Sequence, residues 1–291
     1  MSLVSIVIPT YNRLWGLKDC IASIQAQDFV DWEVIVMDDA GTEPVGEYIS
    51  GLKDPRIHYF RQEVNAGVAR NWADGILKAQ SPYLCILMDD DWYHTNFLSN
   101  RMEVFNKNPD VGMVYGPYVI FDSVSNKKVV INTRNKGWLG HGVLVPAILG
   151  RDCFIGTAMY RTKNVQCVIK EAASFGLILD YPINLLPVLR FALNGFGLDS
   201  LDFFYRNHPD TISNTQRELA NSQSYHFLKK VGPLQGPNEK VRKREICNQA
   251  ISYSMNSSTW FRRVTWAFRS ICIQPFQFSP YKCLVKRLLF R

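Results

Sequence analysis

The first third of the chain alternates between short β-branched runs and a helical apolar stripe, and each run ends in polar residues. Leu3–Ile8 (LVSIVI) is a continuous apolar run of the kind a fully buried strand requires. PTYNR breaks it, and Leu14, Leu17, Ile21 and Ile24 then recur at helical spacing on one stripe. Glu33–Met37 (EVIVM) is a second buried run and ends at Asp38-Asp39. Two buried strands joined by an amphipathic helix make a βαβ unit, whose strands should be parallel. Arg56–Phe60 (RIHYF) reads as a third strand. Val68, Trp72 and Ile76 place a stripe on a helix over about 67–79, and Tyr83–Met88 reads as a fourth strand ending at Asp89-Asp90-Asp91. PTYNR, Asp38-Asp39 and the three aspartates therefore gather at one edge, the edge where open α/β sheets bind ligands.

After about residue 110 the pattern changes. Val111–Phe121 and Lys128–Thr133 read as a hairpin pair, helical stripes return near 164–175 and 180–194, and a strand follows near 197–204. From about 216 the chain is helical and increasingly basic. The expected organisation is two lobes sharing one sheet, 1–105 and 106–215, followed by a basic helical extension over 216–291.

Composition narrows the setting. With 291 residues, 47% apolar and 20% charged, the chain can bury a sizeable core. No apolar stretch approaches the ~18 residues of a spanning helix. Leu3–Ile8 is too short for a secretory leader and has no basic flank, so a cytoplasmic protein is expected. Seven cysteines without a CxxC pair argue against a disulfide framework or zinc site and fit reduced thiols. The net charge of +7 is not spread evenly. Residues 256–291 hold Arg262, Arg263, Arg269, Lys282, Lys286, Arg287 and Arg291 with no acid, which accounts for the whole excess. Trp260, Phe261, Trp266, Phe268, Phe276, Phe278, Tyr281 and Phe290 are interleaved with them. Basic and aromatic side chains together suit an anionic membrane surface, with packing against a partner helix as the alternative. Nothing else in the chain supports nucleic acid as a partner.

Three adjacent carboxylates at a strand end repel one another, and a divalent cation relieves that repulsion. Oxygen ligands suit Mg²⁺ or Mn²⁺, held by one or two carboxylates plus substrate phosphates. The alternative is a solvated acidic turn that caps the next helix. Asp38-Asp39 can accept hydrogen bonds from a base or ribose, or can cap a helix. Arg13 and Arg70 can supply positive charge to a diphosphate. No Walker loop or GxGxxG fingerprint is present, so phosphate binding would rest on a metal and side chains.

The stretches SIVIPTYNR (5–13), SIQAQDFVDWEVIVMDDAGT (23–42) and NAGVARNWADGILKAQSPYLCILMDDDWYHTNFL (65–98), in this order, resemble glycosyltransferase family 2. The resemblance implies the GT-A fold, an α/β architecture with a Rossmann-like, mostly parallel central sheet flanked by helices, here with a C-terminal helical extension. It implies inverting transfer of a sugar from a nucleotide diphosphate sugar, a UDP-sugar first of all, to an acceptor hydroxyl, with Mn²⁺ or Mg²⁺ as cofactor. Residues 1–105 become the donor half and 106–215 the acceptor half.

Residue by residue, the resemblance puts Pro9, Thr10, Tyr11, Arg13, Arg70 and Asp89 at the nucleotide, with Asp39 accepting the base N–H. Asp90 becomes the cation's ligand, with Asp91 beside it. Many members read Asp-x-Asp-Asp here, and this chain has Met88 at the first acidic position and Thr95 where proline is frequent. GLILDYPINLLPVLR (176–190) resembles the acceptor-side helix, which makes Asp180 the general base, although Leu179 stands where many members carry a second acid. FYRNHPDTIS (204–213) resembles the YRxHxxxxS segment, which gives His208 to the metal or diphosphate with Arg206 nearby. The tail then suggests a lipid-linked glycan acceptor in surface polysaccharide (O-antigen or capsule) synthesis, at the inner face of the membrane. Two other readings stay open. A sugar nucleotidyltransferase would want a glycine-rich, lysine-bearing loop where PTYNR stands. A non-catalytic binding protein of the same fold is favoured if Asp180 points away from the site.

Overall fold

The computed structural model describes residues 2–256 together with 265, 266 and 269. The chain divides into two compact units, one ending at His208 and the other beginning at Pro209.

In the first unit, Val4–Thr10 (β1), Leu14–Gln25 (α1), Trp32–Asp38 (β2), Val45–Leu52 (α2), Ile57–Arg61 (β3), Val68–Lys78 (α3) and Tyr83–Ile86 (β4) build the parallel βαβ units expected. β1 pairs with β2 from Val4↔Trp32 to Thr10↔Asp38 and with β4 on its other side, and β2 pairs with β3. Every residue of β1 is buried, as a central parallel strand covered on both faces must be. Leu17, Cys20, Ile21 and Ile24 of α1 pack over Ile6, Ile8, Val34 and Val36. Each fully buried aliphatic side chain there contributes about 1.5–3 kcal/mol. On α3 the buried face holds Asn71, Ala73, Gly75 and Ile76, so the stripe is rotated away from Val68 and Trp72.

The chain continues through Trp92–Tyr93 (β5), Phe97–Lys107 (α4), Val111–Tyr115 (β6), Tyr118–Asp122 (β7), Lys128–Ile131 (β8), Gly137–Leu139 (β9), His141–Leu149 (α5) and Met159–Arg161 (β10). It then forms Thr162–Gln166 (α6), Ile169–Ala173 (α7), Asp180–Phe191 (α8), Asn194–Gly197 (β11) and Phe203–Asn207 (β12). The main sheet runs β3-β2-β1-β4-β10-β6-β11-β9, and a smaller one runs β5-β12-β7-β8. β10 is antiparallel to both β4 and β6, and β11 is parallel to β6. β6 and β11 therefore point the same way as β1–β4, and the segment that enters β10 lies at their C-terminal edge.

Several boundaries differ from the sequence reading. Val111–Phe121 is two strands in different sheets, interrupted by Gly116 and Pro117, and only β7 makes the hairpin with β8. Proline has no N–H for a ladder, so a break there is expected. The strand near 197–204 likewise divides into β11 in the main sheet and β12 in the small one. The helix over 164–175 breaks into α6 and α7, and α8 ends at Phe191 because Ala192 turns left-handed, φ 51°. β4 ends at Ile86, so a short turn separates it from the aspartates.

The second unit comprises Ile212–Thr215 (α9), Arg217–Lys230 (α10) and Pro237–Asn256 (α11). Arg242 on α11 donates to the Leu228 carbonyl of α10 at 2.7 Å, and Phe227, Leu228, Ile246 and Ala250 are buried. Of the basic aromatic tail, Trp266 and Arg269 are described, with the Arg269 guanidinium 4.6 Å from the Trp266 ring centre. The remaining residues named for the membrane reading lie outside the described residues. No helix among the described residues is long and apolar enough to cross a membrane.

Candidate active site

β1 and β2 finish in register, with Thr10 opposite Asp38. Pro9 and Thr10 are buried at that end, and Tyr11 beyond them is about half exposed. Asn12 adopts φ 50°, and its side-chain oxygen accepts the Thr42 N–H at 2.6 Å, which pins the PTYNR turn to the loop after β2. Asp38 and Asp39 have different tasks. Asp38 is fully buried and accepts from the Gly41 N–H, the Tyr59 hydroxyl and Arg61, at 2.9, 2.7 and 3.0 Å. It ties β2 to β3. Asp39 accepts the Ala66 and Gly67 N–H groups at 2.6 and 3.0 Å and so holds the loop that opens α3. Each carboxylate oxygen has two acceptor sites, so Asp39 keeps capacity for a ligand. Arg70 is not brought to the aspartates. It is largely exposed and lies 3.5 Å from Asp74, one helical turn on.

Asp89, Asp90 and Asp91 are all buried. A solvated acidic turn is thereby overturned, and α4 starts from Asn96 instead, without a side-chain cap. Arg13 Nη1 bridges two of the three carboxylates, 2.8 Å from Asp89 Oδ1 and 3.0 Å from Asp90 Oδ2. His208 Nε2 lies 2.9 Å from the same Asp90 oxygen. Asp91 Oδ1 accepts the Arg206 backbone N–H at 2.8 Å, and its Oδ2 is buried without a partner. Burial, partly offset by Arg13 and reinforced by Asp90, pushes the Asp89 carboxyl up to about 6. Burial and the Asp90 charge push Asp91 well above the usual carboxylate range.

Gly16, in the first turn of α1, lets this cluster sit where it does. A Cβ there would lie 2.6 Å from the Asp89 carbonyl oxygen and 3.0 Å from the Asp90 Cα. Sequence reading missed it. The available signal was a glycine inside a helical stripe, which costs ~1 kcal/mol against alanine and so calls for a packing reason.

His208 and Arg206 arrive on β12, anchored by a buried pair that the sequence did not reveal. Arg101 has no exposed surface and grips both Asp202 carboxylate oxygens at 3.0 Å and the Thr157 carbonyl at 2.9 and 2.8 Å. The Arg206 guanidinium donates to Asp19 at 2.7 Å and lies 5.1 Å and 4.8 Å from the Trp15 and Trp92 ring centres. Trp15 also meets the His208 ring edge-to-face at 5.5 Å.

Asp180 is the first residue of α8, directly after the N-cap Leu179, and its carboxylate accepts from backbone N–H groups at that helix start. Its side chain is 37% exposed and lies 3.8 Å from Arg151. Arg151 lies just after α5, in the segment between α5 and β10. Packing around Asp180 pushes its carboxyl up, and Arg151 partly offsets that.

Among the described residues, no group of three or more His, Cys, Asp or Glu side chains converges as a ready-made metal cage. The donor set nevertheless fits a hard cation that shares its shell with phosphates. Carboxylate oxygens stand together, Asp90 directs one of them to both its partners, and Asp91 carries an orphaned oxygen.

The fold and this edge define an α/β protein with a buried acidic cluster beside its first helix. The chain belongs to glycosyl transferase family 2, whose model matches residues 5–169. It is 37% identical over 105 residues to the putative colanic acid biosynthesis glycosyl transferase WcaA of Escherichia coli, a match covering 35% of this chain and 36% of that one. It is 36% identical over 110 residues to the GalNAc(5)-diNAcBac-PP-undecaprenol beta-1,3-glucosyltransferase of Campylobacter jejuni, covering 37% of this chain and 36% of that one. The match thus spans little more than a third of each of these relatives. Among solved structures, S. aureus TarS 1–349 in complex with UDP-GlcNAc matches with a TM-score of 0.71 at 14% identity, over 94% of this chain and 81% of that one. The mannosyltransferase PcManGT of Pyrobaculum calidifontis, in complex with GDP-Man and Mn²⁺, matches with a TM-score of 0.58 at 13% identity, over 99% and 87%. The fold is GT-A, with the mostly parallel central sheet and C-terminal helices that the sequence led us to expect.

Proposed function

We propose that the chain is an inverting, metal-dependent glycosyltransferase that moves a sugar from a UDP-sugar to a hydroxyl of a lipid-linked glycan in surface polysaccharide synthesis. The observation that carries this reading is the buried Asp89–Asp91 cluster, held by Arg13 and His208 at the ligand edge of a family 2 chain. The relatives support the substrate classes: one is named for colanic acid biosynthesis, one for an undecaprenyl-diphosphate-linked glycan, and TarS is seen with UDP-GlcNAc.

Asp90 with Asp91, and His208 beside them, would hold Mn²⁺ or Mg²⁺. When bound, the cation supplies positive charge to the leaving diphosphate. The chain's own groups do the rest. Asp39 accepts a donor N–H or hydroxyl, and the PTYNR turn lines the nucleotide. Asp180 takes the proton from the acceptor hydroxyl as that oxygen attacks the anomeric carbon and the nucleoside diphosphate departs from the opposite face, a single displacement that inverts the centre. Its raised carboxyl suits a base better than an ordinary aspartate would. Residues 256–291 bring the enzyme to the inner face of an anionic membrane, where a lipid-linked acceptor resides.

A thermal-shift panel of nucleotide sugars with and without Mn²⁺ tests this reading, because a selective ligand raises the melting temperature of the fold it binds. UDP-sugars with Mn²⁺ should stabilise the protein, and Asp90→Ala should abolish the metal-dependent part. Equal UDP affinity in Asp90→Ala removes the metal assignment.

A further inference from the structure

We propose that Arg13 is the resident counter-ion of the acidic cluster, and that it exchanges with the divalent cation by transferring its guanidinium to the donor's diphosphate. The proposal rests on the reading of Asp90 as a cation ligand. A single nitrogen, Nη1, bridges carboxylates on two successive residues, Asp89 and Asp90. Among the described residues it is the arginine whose side chain contacts the cluster, since Arg206 reaches Asp91 through its backbone and spends its guanidinium on Asp19. Both its contacts go through Nη1, so Nε and Nη2 are left for another acceptor, and the side chain is 24% exposed beside two nearly buried aspartates.

A guanidinium fork with unused donors matches phosphate oxygens. A dication and a guanidinium cannot both serve the Asp90 oxygen, because like charges at that range repel. A cation arriving with a diphosphate resolves the conflict, since the same ligand offers Arg13 a new set of oxygens. Metal and nucleotide then bind cooperatively, because the metal alone must displace Arg13 with no new acceptor for its guanidinium.

Free Mn²⁺ measured by electron paramagnetic resonance, with and without UDP, tests this on the full chain. Wild type should take Mn²⁺ weakly alone and far better with UDP. Arg13→Gln should bind Mn²⁺ alone about tenfold more tightly and UDP with Mn²⁺ about tenfold less tightly, within the range of ordinary ligand coupling. Unchanged or weaker Mn²⁺ binding by a natively folded Arg13→Gln overturns the proposal. Should that variant fail to fold, Arg13→Lys decides. It keeps the charge and loses the fork, so Mn²⁺ binding alone should match wild type while UDP binding falls, and unchanged UDP binding overturns the proposal. Asp90→Asn separates the two ideas. If it keeps full Mn²⁺-dependent UDP binding, the cation assignment fails whatever Arg13 does.

Discussion

At the scale of single residues, the sequence is most readable where charge has no folding reason. Asp89–Asp91 drew notice because three like charges stand together after a buried run, and burial of all three confirms that they are not a solvated turn. Asp38 and Asp39 look equivalent in the sequence, yet only contacts from β3 and from the loop before α3 separate the structural one from the one with spare acceptor capacity. Asp180 yields a pH prediction. Its carboxyl is raised above the ordinary value of 3.8, so the folded protein holds that proton at pH values where the unfolded chain has lost it. Ionising it therefore costs stability as pH rises through that window, and the base form prevails only above the raised value. The acid limb of kcat should lie above the ordinary aspartate range. Asp180→Asn should lower kcat by at least about a hundredfold and leave donor affinity intact. Near-normal turnover in that variant excludes Asp180 as the base.

At the scale of elements, periodicity identified strands and helices but not the sheet each strand joins. β6 and β7 are adjacent in sequence and both apolar, and Gly116-Pro117 sends them to different sheets. Arg101 and Asp202 escaped notice for a related reason. Each is an ordinary charged residue until α4 and the start of β12 meet, and their pairing sets where Arg206 and His208 come to rest. The approach of α1 to the aspartates can be tested through Gly16. Helix propensity alone favours Gly16→Ala by ~1 kcal/mol. The new methyl would meet the backbone of Asp89 and Asp90, which cannot rotate aside as a side chain can. Overpacking should win, with a net loss of about 1–3 kcal/mol in chemical denaturation and weaker Mn²⁺-dependent UDP binding. A stabilised variant with unchanged UDP binding would show that α1 does not set the cluster's position.

At the scale of the whole molecule, charge is segregated between the two units. Residues 1–208 carry 19 Lys and Arg against 22 Asp and Glu, a net of −3, while residues 209–291 carry 14 against 4, a net of +10. A unit of net negative charge is thus followed in the chain by a segment of net positive charge. Lys229, Lys230, Lys240, Lys243 and Arg244 are exposed on α10 and α11, although Lys243 also lies near Glu239. If attraction to an anionic surface is what this segregation serves, the full chain should sediment with vesicles containing phosphatidylglycerol and not with neutral ones. Raising the salt well above physiological strength should release it, because exposed charges are screened beyond a few ångströms there. Neutralising Lys282, Lys286 and Arg287 together as glutamines should weaken binding by about 3 kcal/mol, roughly a hundredfold, at ~1 kcal/mol for each cation. Transfer to a soluble acceptor should be unaffected in the same variant. Failure of the full chain to sediment with anionic vesicles even at low salt would assign the tail to a protein partner instead, as its aromatic content also allows.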